Sequence, residues 1–379
     1  MLNAVELNHI LAQIFGYSDD ELGRRIGFLV DVPAIPEDDT ENWRARRALV
    51  MRWARTLNRD SLHHCVVYAY ESLDINNPLF DQSLHNIDLK DEVPDDAAQL
   101  AQYAPDPTEA AEVYSRAECW IALTQSSATL PLKQVVSQLA FRAVTLTHFE
   151  SSFIPALQID AQILEMRLQK LAHELNDAHT AILKFRVKTA TYTLNIDLRY
   201  RIAFADAVRF TRNGLVGCLP AGEAYTVPYE GEKIGIISIT DGILPLQNGL
   251  YIALCEVQEN RIVCIDGENE WSKQLRAELA QDPARTNIAE LGFGILAEWN
   301  IAPTGNLRID EKLSPHIALG RSEHIGGVTS PADFLCPENV THRDFIFHRD
   351  IMPDIAIESI TLIAKDRETR IMQADRYLF

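Results

Sequence analysis

The sequence predicts a two-domain protein, in which a mainly parallel α/β domain is followed by a strand-rich α+β domain. The length of 379 residues exceeds that of one typical domain, which has roughly 100–200 residues. In the first half, apolar strand-like runs alternate with amphipathic segments, as they do in βαβ units. In the second half, apolar and polar residues alternate with a period of two, which indicates half-buried strands.

The predicted N-terminal domain covers residues 1–183. Its strand-like runs are residues 27–32, 65–70, 119–125 and 143–149. Helices are expected over about 41–57 and 131–143, and a loop rich in Asp, Asn and Pro over 75–107. Between residues 162 and 182, apolar residues recur at alternating spacings of four and three. This spacing predicts a one-sided helix that ends the domain.

The predicted C-terminal domain covers residues 184–379. Apolar residues at every second position from 192 to 198 alternate with Thr, Asn and Asp. Further apolar runs, each predicted to form a strand, are residues 234–239, 250–257 and 261–266. We therefore expect an α+β or mostly antiparallel domain.

The composition indicates an ordinary folded protein, with 47% hydrophobic and 23% charged residues. Lys and Arg total 35 against 54 Asp and Glu, so the net charge is -19 and neither a nucleic acid nor an anionic membrane is an expected partner. The N-terminus lacks the pattern of a signal peptide, and no apolar run approaches a membrane span of about 20 residues. The six cysteines are scattered and form no C-x-x-C pair. We expect reduced thiols and a cytoplasmic protein.

Four of the eleven histidines, His316, His324, His342 and His348, fall within 33 residues. Asp344 follows His342 by two positions, and residues i and i+2 of a strand share a face, so this pair can hold a metal ion. A single histidine is more often a hydrogen-bonding residue than a ligand, and His-x-Asp alone is a weak motif. From these residues alone, a metal site and a purely structural role both remain open.

Two glutamates are further ligand candidates because each lies beside a turn or a glycine-containing apolar run. Glu223 follows a Pro-Ala-Gly turn and precedes a predicted strand. Glu290 precedes the sequence Leu-Gly-Phe-Gly. Each also has a plain structural interpretation, since Glu223 fits a solvated turn and Glu290 a charge at the end of a helix.

Four motifs resemble those of metallo-aminopeptidases of the aminopeptidase T and aminopeptidase S type, in the same order and at similar spacing. They are LPAGEAYTVPYEG (219–231), ELGFG (290–294), the TGN and DEKLSPHIALG run (304–320) and HRDF (342–345). The motif resemblance covers about residues 183–350, and the N-terminal half agrees only in its pattern and length. It implies a peptide or amino-acid-derived substrate, a homodimer and two divalent ions, whether zinc, cobalt, manganese or magnesium. The metal ligands that it implies are Glu223, Glu290, His316, His342 and Asp344.

The sequence departs from this family seven residues after His316, where the aminopeptidases have a tyrosine. Here that position is Glu323, followed by His324, and either residue can replace the tyrosine as a ligand or a proton-transfer group. We therefore treat both as candidate catalytic residues. Nearby Arg321 is a candidate contact for a substrate carboxylate, or else a solvated loop charge.

The chain also resembles 2,5-dihydroxypyridine ring-cleaving dioxygenases, through a Gly-Gly pair after the corresponding loop and the His-x-Asp pair. Three hypotheses follow. The first is a metal-dependent aminopeptidase or related amide hydrolase, which the retention of Glu223 and Glu290 favours. The second is a mononuclear non-haem iron dioxygenase with His316, His342 and Asp344 as its ligands. The third, motivated by the missing tyrosine and by the divergence of the N-terminal half, is a non-catalytic or repurposed peptide-binding protein on the same fold.

Overall fold

The computed structural model describes residues 2–59, 62–73, 83–103, 105–106 and 110–379. Part of the loop predicted over 75–107 lies outside these residues, and the described part contains a short strand and a short helix. No helix within the described ranges is long and apolar enough to cross a membrane.

The helices are numbered in chain order. They are α1 Ala4–Phe15, α2 Glu41–Asn58, α3 Ala97–Leu100, α4 Ala110–Ser115, α5 Thr129–Val136, α6 Ile154–Leu157, α7 Ala161–Asp177, α8 Glu270–Leu279 and α9 Leu307–Asp310.

The strands follow the same convention. They are β1 Arg25–Val32, β2 His64–Glu71, β3 His85–Ile87, β4 Cys119–Leu123, β5 Arg142–Thr145, β6 Thr180–Val187, β7 Ala190–Asp197, β8 Phe204–Ala205, β9 Val216–Cys218, β10 Glu223–Thr226, β11 Asp241–Asn248, β12 Tyr251–Gln258, β13 Arg261–Asp266, β14 Ile288–Gly294, β15 Pro315–Gly320, β16 His342–Ile346, β17 Ile355–Ile363, β18 Glu368–Gln373 and β19 Arg376–Tyr377.

The chain divides into two compact units, but not at the single boundary that we expected near residue 183. Unit 1 consists of Met1–Glu165 and Ala207–Ala221, and unit 2 of Met166–Asp206 and Gly222–Phe379. The chain returns to unit 1 because β9 pairs with β5. The predicted helix also ends earlier, at the end of α7, because the residues from Thr180 onward form β6 and pair with β17.

Unit 1 is built on a six-stranded sheet in the order β3-β2-β1-β4-β5-β9, in which β3 is antiparallel and the other pairs are parallel. The central strand β1 is buried from Ile26 to Val32, as expected for a parallel strand covered on both faces. Helix α2 begins after Thr40, whose side chain accepts a hydrogen bond from the Trp43 amide and so caps the helix. The mixed α/β character predicted from the sequence is confirmed.

Unit 2 contains two sheets with only antiparallel pairs. One has eight strands in the order β13-β12-β11-β7-β6-β17-β18-β19, and the other five in the order β16-β15-β14-β10-β8. Residues 234–239 do not form a strand, so the prediction of a strand there is wrong. The Ile239 amide donates to Asp197 and the Ile236 carbonyl accepts from the Tyr229 hydroxyl, so side chains satisfy backbone groups that a partner strand would otherwise satisfy.

Gly27→Ala is expected to destabilise unit 1, because a Cβ at this position would lie 2.4 Å from Cε3 of the buried Trp120 on the neighbouring strand. Overpacking of this kind costs about 1–3 kcal/mol of unfolding free energy. Urea denaturation measures this loss. Trp120→Ala removes the clashing ring, so Gly27→Ala should cost less in that background, and an equal cost in both backgrounds would contradict the steric explanation.

Candidate metal centre

The five residues that the resemblance implies as ligands lie on four adjacent strands of the five-stranded sheet. Glu223 is the first residue of β10, Glu290 lies in β14, His316 in β15, and His342 and Asp344 in β16. Residues far apart in the sequence are therefore brought together by antiparallel pairing alone.

The register of this sheet places the five side chains on one face. In an antiparallel sheet, directly paired residues project to the same side. Glu290 pairs with Ala318, which pairs in turn with Asp344, and Gly292 pairs with His316. Glu223 pairs with Gly294, and His342 with Gly320. Small residues thus separate the candidate ligands on this face.

Gly292 and Gly294 of the ELGFG motif are required by close approaches rather than by backbone flexibility. A Cβ on Gly292 would lie 2.0 Å from Nε2 of His316, and a Cβ on Gly294 would lie 2.3 Å from the backbone carbonyl carbon of Lys312. The first glycine therefore gives the imidazole its position, and the second allows the chain before β15 to pack against β14.

The candidate ligands form two groups that share one carboxylate. Glu223, Glu290 and His316 make one group, and Glu290, His342 and Asp344 make the other, with the ligand atoms of each group within 4.8 Å of one another. Oε1 of Glu290 lies 3.5 Å from Nε2 of His316, whereas Oε2 lies 3.2 Å from Nε2 of His342. The two oxygens of Glu290 therefore face different groups, so this carboxylate could serve both.

The residues present fit a pair of divalent cations. Oε2 of Glu223 is buried without a hydrogen-bond partner in the described part of the chain, and it lies 3.5 Å from Nε2 of His316. A buried carboxylate oxygen without a partner is costly unless a cation or a proton compensates it. Three carboxylates and two imidazoles are a ligand set suited to zinc, manganese or cobalt.

Backbone carbonyls orient both imidazoles. Nδ1 of His342 donates to the carbonyl oxygen of Arg321 over 2.7 Å, which leaves Nε2 facing Glu290. Nδ1 of His316 lies 3.4 Å from the carbonyl oxygen of Ser314. Bonds of this kind select the tautomer whose other nitrogen is available as a metal ligand.

A buried lysine, to which the sequence analysis assigned no role, lies beside this centre. Nζ of Lys312 is 2.5 Å from Oε1 of Glu223, 3.1 Å from Asp206 and 3.4 Å from Glu311. Asp206 also accepts the backbone amides of Gly222 and Glu223. Glu311 and Lys312 belong to the DEKLSPHIALG run and could have been considered, whereas no motif marks Asp206.

The pKa values of the two central glutamates, Glu223 and Glu290, are shifted in opposite directions. Burial raises the pKa of Glu223 to about 8, although the Lys312 ammonium opposes this shift. Burial also acts to raise the pKa of Glu290, but contacts with His316 and His342 outweigh it and lower the pKa to about 2. Glu290 is the better-stabilised anion because it lies between both imidazoles.

Both imidazoles bind a proton tightly in the absence of metal. Burial acts to lower the pKa of His316 and of His342, but the neighbouring carboxylates outweigh it and raise each pKa to about 10. The main partners are Glu290 for His316 and Asp344 with Glu290 for His342. A metal ion must therefore displace protons from this cluster.

The candidate catalytic and substrate residues lie in the loop after β15. Both oxygens of Glu323 accept hydrogen bonds from the Arg321 guanidinium at 2.5 Å, so these two side chains are partners of each other. The ring of His324 meets that of His342 edge-on, with centroids 4.8 Å apart. His348, the fourth histidine of the sequence cluster, belongs to neither ligand group.

The fold and the site together define a two-unit α/β protein with a candidate two-metal centre on an antiparallel sheet. No protein-family model matches the chain, and no curated protein matches it. Two similar solved structures belong to the proteins whose sequence motifs this chain resembles.

The structure of 2,5-dihydroxypyridine dioxygenase from Pseudomonas putida KT2440 is similar over 100% of this chain and 98% of its own, with 13% identity and a TM-score of 0.55. AmpT, an aminopeptidase T, from Thermus thermophilus is similar over 99% of both chains, with 13% identity and a TM-score of 0.49. The chain thus shares the fold of the dioxygenase, with a strongly diverged sequence.

Gly292→Ala is expected to weaken metal binding by about 10–100-fold, the range seen when residues that orient a ligand are altered. The added methyl group would displace the His316 imidazole. Zinc titration followed by elemental analysis measures affinity and stoichiometry. Ala318→Gly, on the same face, removes a methyl group and should leave two ions bound. Unchanged zinc affinity in Gly292→Ala would contradict the proposed place of His316 in the centre.

Zinc binding at neutral pH is expected to release protons, and the apparent affinity should fall as the pH falls. The sign follows from the raised pKa values of His316 and His342, because protons compete with the metal for both imidazoles. Calorimetric titrations in buffers of different ionisation enthalpy count the released protons. His348→Ala should leave the count unchanged. Binding without proton release would show that these imidazoles are not ligands.

Proposed function

We propose that the protein is a metal-dependent aminopeptidase or a related amide hydrolase with two divalent ions. The observation that carries this proposal is the position of Glu290, whose two oxygens face two separate ligand groups. One group offers Glu223 and His316, and the other offers His342 and Asp344. When bound, a pair of divalent cations supplies Lewis acidity and lowers the pKa of a water molecule for attack on a carbonyl carbon.

The charge of the cluster supports two ions rather than one. Asp206, Glu223, Glu290, Glu311 and Asp344 contribute five carboxylates, against the single ammonium of Lys312. The remaining four negative charges equal the charge of two divalent cations with neutral imidazoles. One ion would leave two negative charges in a largely buried place, which is costly.

The residues of the chain have separate roles in this proposal. Lys312 holds Oε1 of Glu223, so that Oε2 is directed toward His316. The Arg321 carbonyl holds His342 in the tautomer that presents Nε2. Since two ions would neutralise the centre itself, acidic residues outside it would attract the α-ammonium group of a peptide, and the chain has an excess of them, with 54 Asp and Glu against 35 Lys and Arg.

Of the two residues at the position of the missing tyrosine, we assign proton transfer to His324. Glu323 is bound through both of its oxygens to Arg321, which lowers its pKa and makes it a poor proton donor. The ring of His324 lies directly against that of His342. Burial, followed by the charges of His342 and Arg321, lowers the pKa of His324, so the imidazole is neutral and can accept a proton.

The iron-dioxygenase hypothesis is less well supported by the geometry. A 2-His-1-carboxylate site needs His316, His342 and Asp344 around one ion. Instead, His316 groups with two glutamates, and His342 groups with Asp344 and Glu290. The likeness to 2,5-dihydroxypyridine dioxygenase is one of fold.

The proposal predicts hydrolysis of aminoacyl p-nitroanilides by protein that has been chelated and then reloaded with zinc, cobalt or manganese. N-acetylated versions of the same substrates should react much more slowly, because they lack the α-ammonium group. Glu290→Gln and His342→Ala should each lower kcat by more than about a hundredfold through loss of a ligand. His348→Ala is the control, since this residue lies outside both groups.

Two results would reject the hydrolase. The first is metal binding with no hydrolysis of any free or blocked amide, together with peptide binding that Glu290→Gln leaves unchanged, which would favour a peptide-binding protein. The second is oxygen uptake with ferrous iron and a dihydroxypyridine, which would favour the dioxygenase.

A further inference from the structure

Glu230 is a buried carboxylate, 3% exposed, that lies outside both ligand groups. One oxygen, Oε1, accepts hydrogen bonds from the side chains of Asn287, Ser322 and Thr329, at 2.7, 2.8 and 2.7 Å. The other oxygen, Oε2, accepts the Val328 amide at 2.7 Å and the Arg201 guanidinium at 3.3 Å. Five donors fill all of the roughly four acceptor sites of one carboxylate.

Three of these donors belong to the loop between β15 and β16. Within this connection, residues 322–329 form a smaller loop that begins at Ser322 and ends at Thr329, and the Ser322 amide donates to the Thr329 carbonyl over 2.9 Å. The Thr329 amide donates in turn to Oγ of Ser322. Glu230 therefore binds both ends of a closed loop and fixes their separation.

The loop is also tightly packed at its tip. Gly326 has a φ of +105°, which favours glycine, and a Cβ on Gly327 would lie 2.1 Å from Oγ of Ser322. The short 3₁₀ turn Glu323–Ile325 stands between these points and carries His324 at its centre. His324 therefore lies in a short turn within a loop whose two ends both bind Glu230.

This loop meets the metal centre at two places. The carbonyl of Arg321, directly before the loop, accepts the Nδ1 proton of His342. The ring of His324 contacts the ring of His342. A displacement of the loop would move the residue assigned to proton transfer while Glu290, His316 and Asp344 stay on their strands.

We propose that Glu230 is a positioning residue that holds the 322–329 loop closed and thereby places His324 at the metal centre. This proposal rests on the proposed function only for the role of His324 in proton transfer. Glu230 stands in the LPAGEAYTVPYEG motif, seven residues after Glu223, where the sequence analysis gave it no role.

A carboxylate is needed at this position because every partner is a donor. Glu230→Gln keeps the size of the side chain but turns one oxygen into an NH2 group, which must face either the donors on Oε1 or the Val328 amide and Arg201. Buried donors are then left without acceptors, and the loop is expected to open.

The first test is hydrogen exchange on the full-length protein. In Glu230→Gln, the amides of Gly327, Val328 and Thr329 are expected to exchange at least tenfold faster, while those of β15 keep their wild-type rates. Asp282→Asn is the matched control, because Asp282 is a buried carboxylate that accepts the amides of Ala284 and Leu335 and the side chain of Asn339. It should leave the loop amides unchanged.

The second test locates the imidazole. In cobalt-loaded protein with labelled histidine, the paramagnetic shift of His324 is expected to change at least twofold in Glu230→Gln. The shift of His316 and the number of bound ions should stay as in the wild type. In activity measurements, kcat should fall at least tenfold and KM should change less than threefold.

If Glu230→Gln does not fold, a pair of less disruptive variants tests the same role. Thr329→Val removes one hydroxyl donor to Glu230, and Thr329→Ser retains it. Thr329→Val should speed loop exchange and Thr329→Ser should not.

Unchanged loop exchange in Glu230→Gln and Thr329→Val, or an unchanged His324 shift in Glu230→Gln, would overturn the role of Glu230. Failure of the wild type to hydrolyse any amide would overturn the proposed function alone. Hydrogen exchange of the loop amides can be measured without metal and without activity. It therefore tests the role of Glu230 whether or not the protein is a hydrolase.

Discussion

The candidate metal centre in unit 2 depends on one electrostatic constraint. Several carboxylates are concentrated on one face of the five-stranded sheet. Glu223 and Glu290 are buried, and the ammonium of Lys312 offsets only part of the surrounding negative charge. Charges in such a place must be neutralised by protons or by cations. The raised pKa values of Glu223, His316 and His342 correspond to the first of these states. In the proposed metal-bound form, Glu290 would serve both ligand groups.

The sheet supplies the geometric precision that this constraint demands. Antiparallel pairing fixes which residues stand side by side, and a slip of one position would turn every ligand to the other face. A β-bulge shifts the register of β14 against β15 between Ile288 and Glu290. Bulges of this kind change the direction of a side chain and are common near functional sites. Gly292 and Gly294 then leave the space that the His316 ring and the Lys312 backbone occupy. The candidate ligands and the glycines between them are therefore one structural unit rather than separate motifs.

The sequence predicts the mixed α/β fold because strand periodicity is a local signal, and the four short, ordered motifs contain the candidate ligands that the structure brings together. It does not predict the return of 207–221 to unit 1, since the pairing of β9 with β5 joins residues about seventy positions apart. It also misses Glu230, whose loop partners lie 92 to 99 positions away, and Asp206, which no motif contains. The apolar run at 234–239 has the letters of a strand, but Asp197 and Tyr229 bind its backbone instead.

The presence of Glu323, at the position where the aminopeptidases that the motifs resemble have a tyrosine, is consistent with this charge constraint. A new carboxylate beside an already negative cluster would repel it, but Glu323 comes with Arg321 two residues earlier and forms a bidentate pair with it. The pair therefore adds no net charge near the metal ligands. It also holds the side chain of Arg321 while the carbonyl of the same residue orients His342. In the proposed function, such a loop would present the neutral His324 imidazole beside a candidate metal ligand and so provide a proton acceptor without a tyrosine hydroxyl.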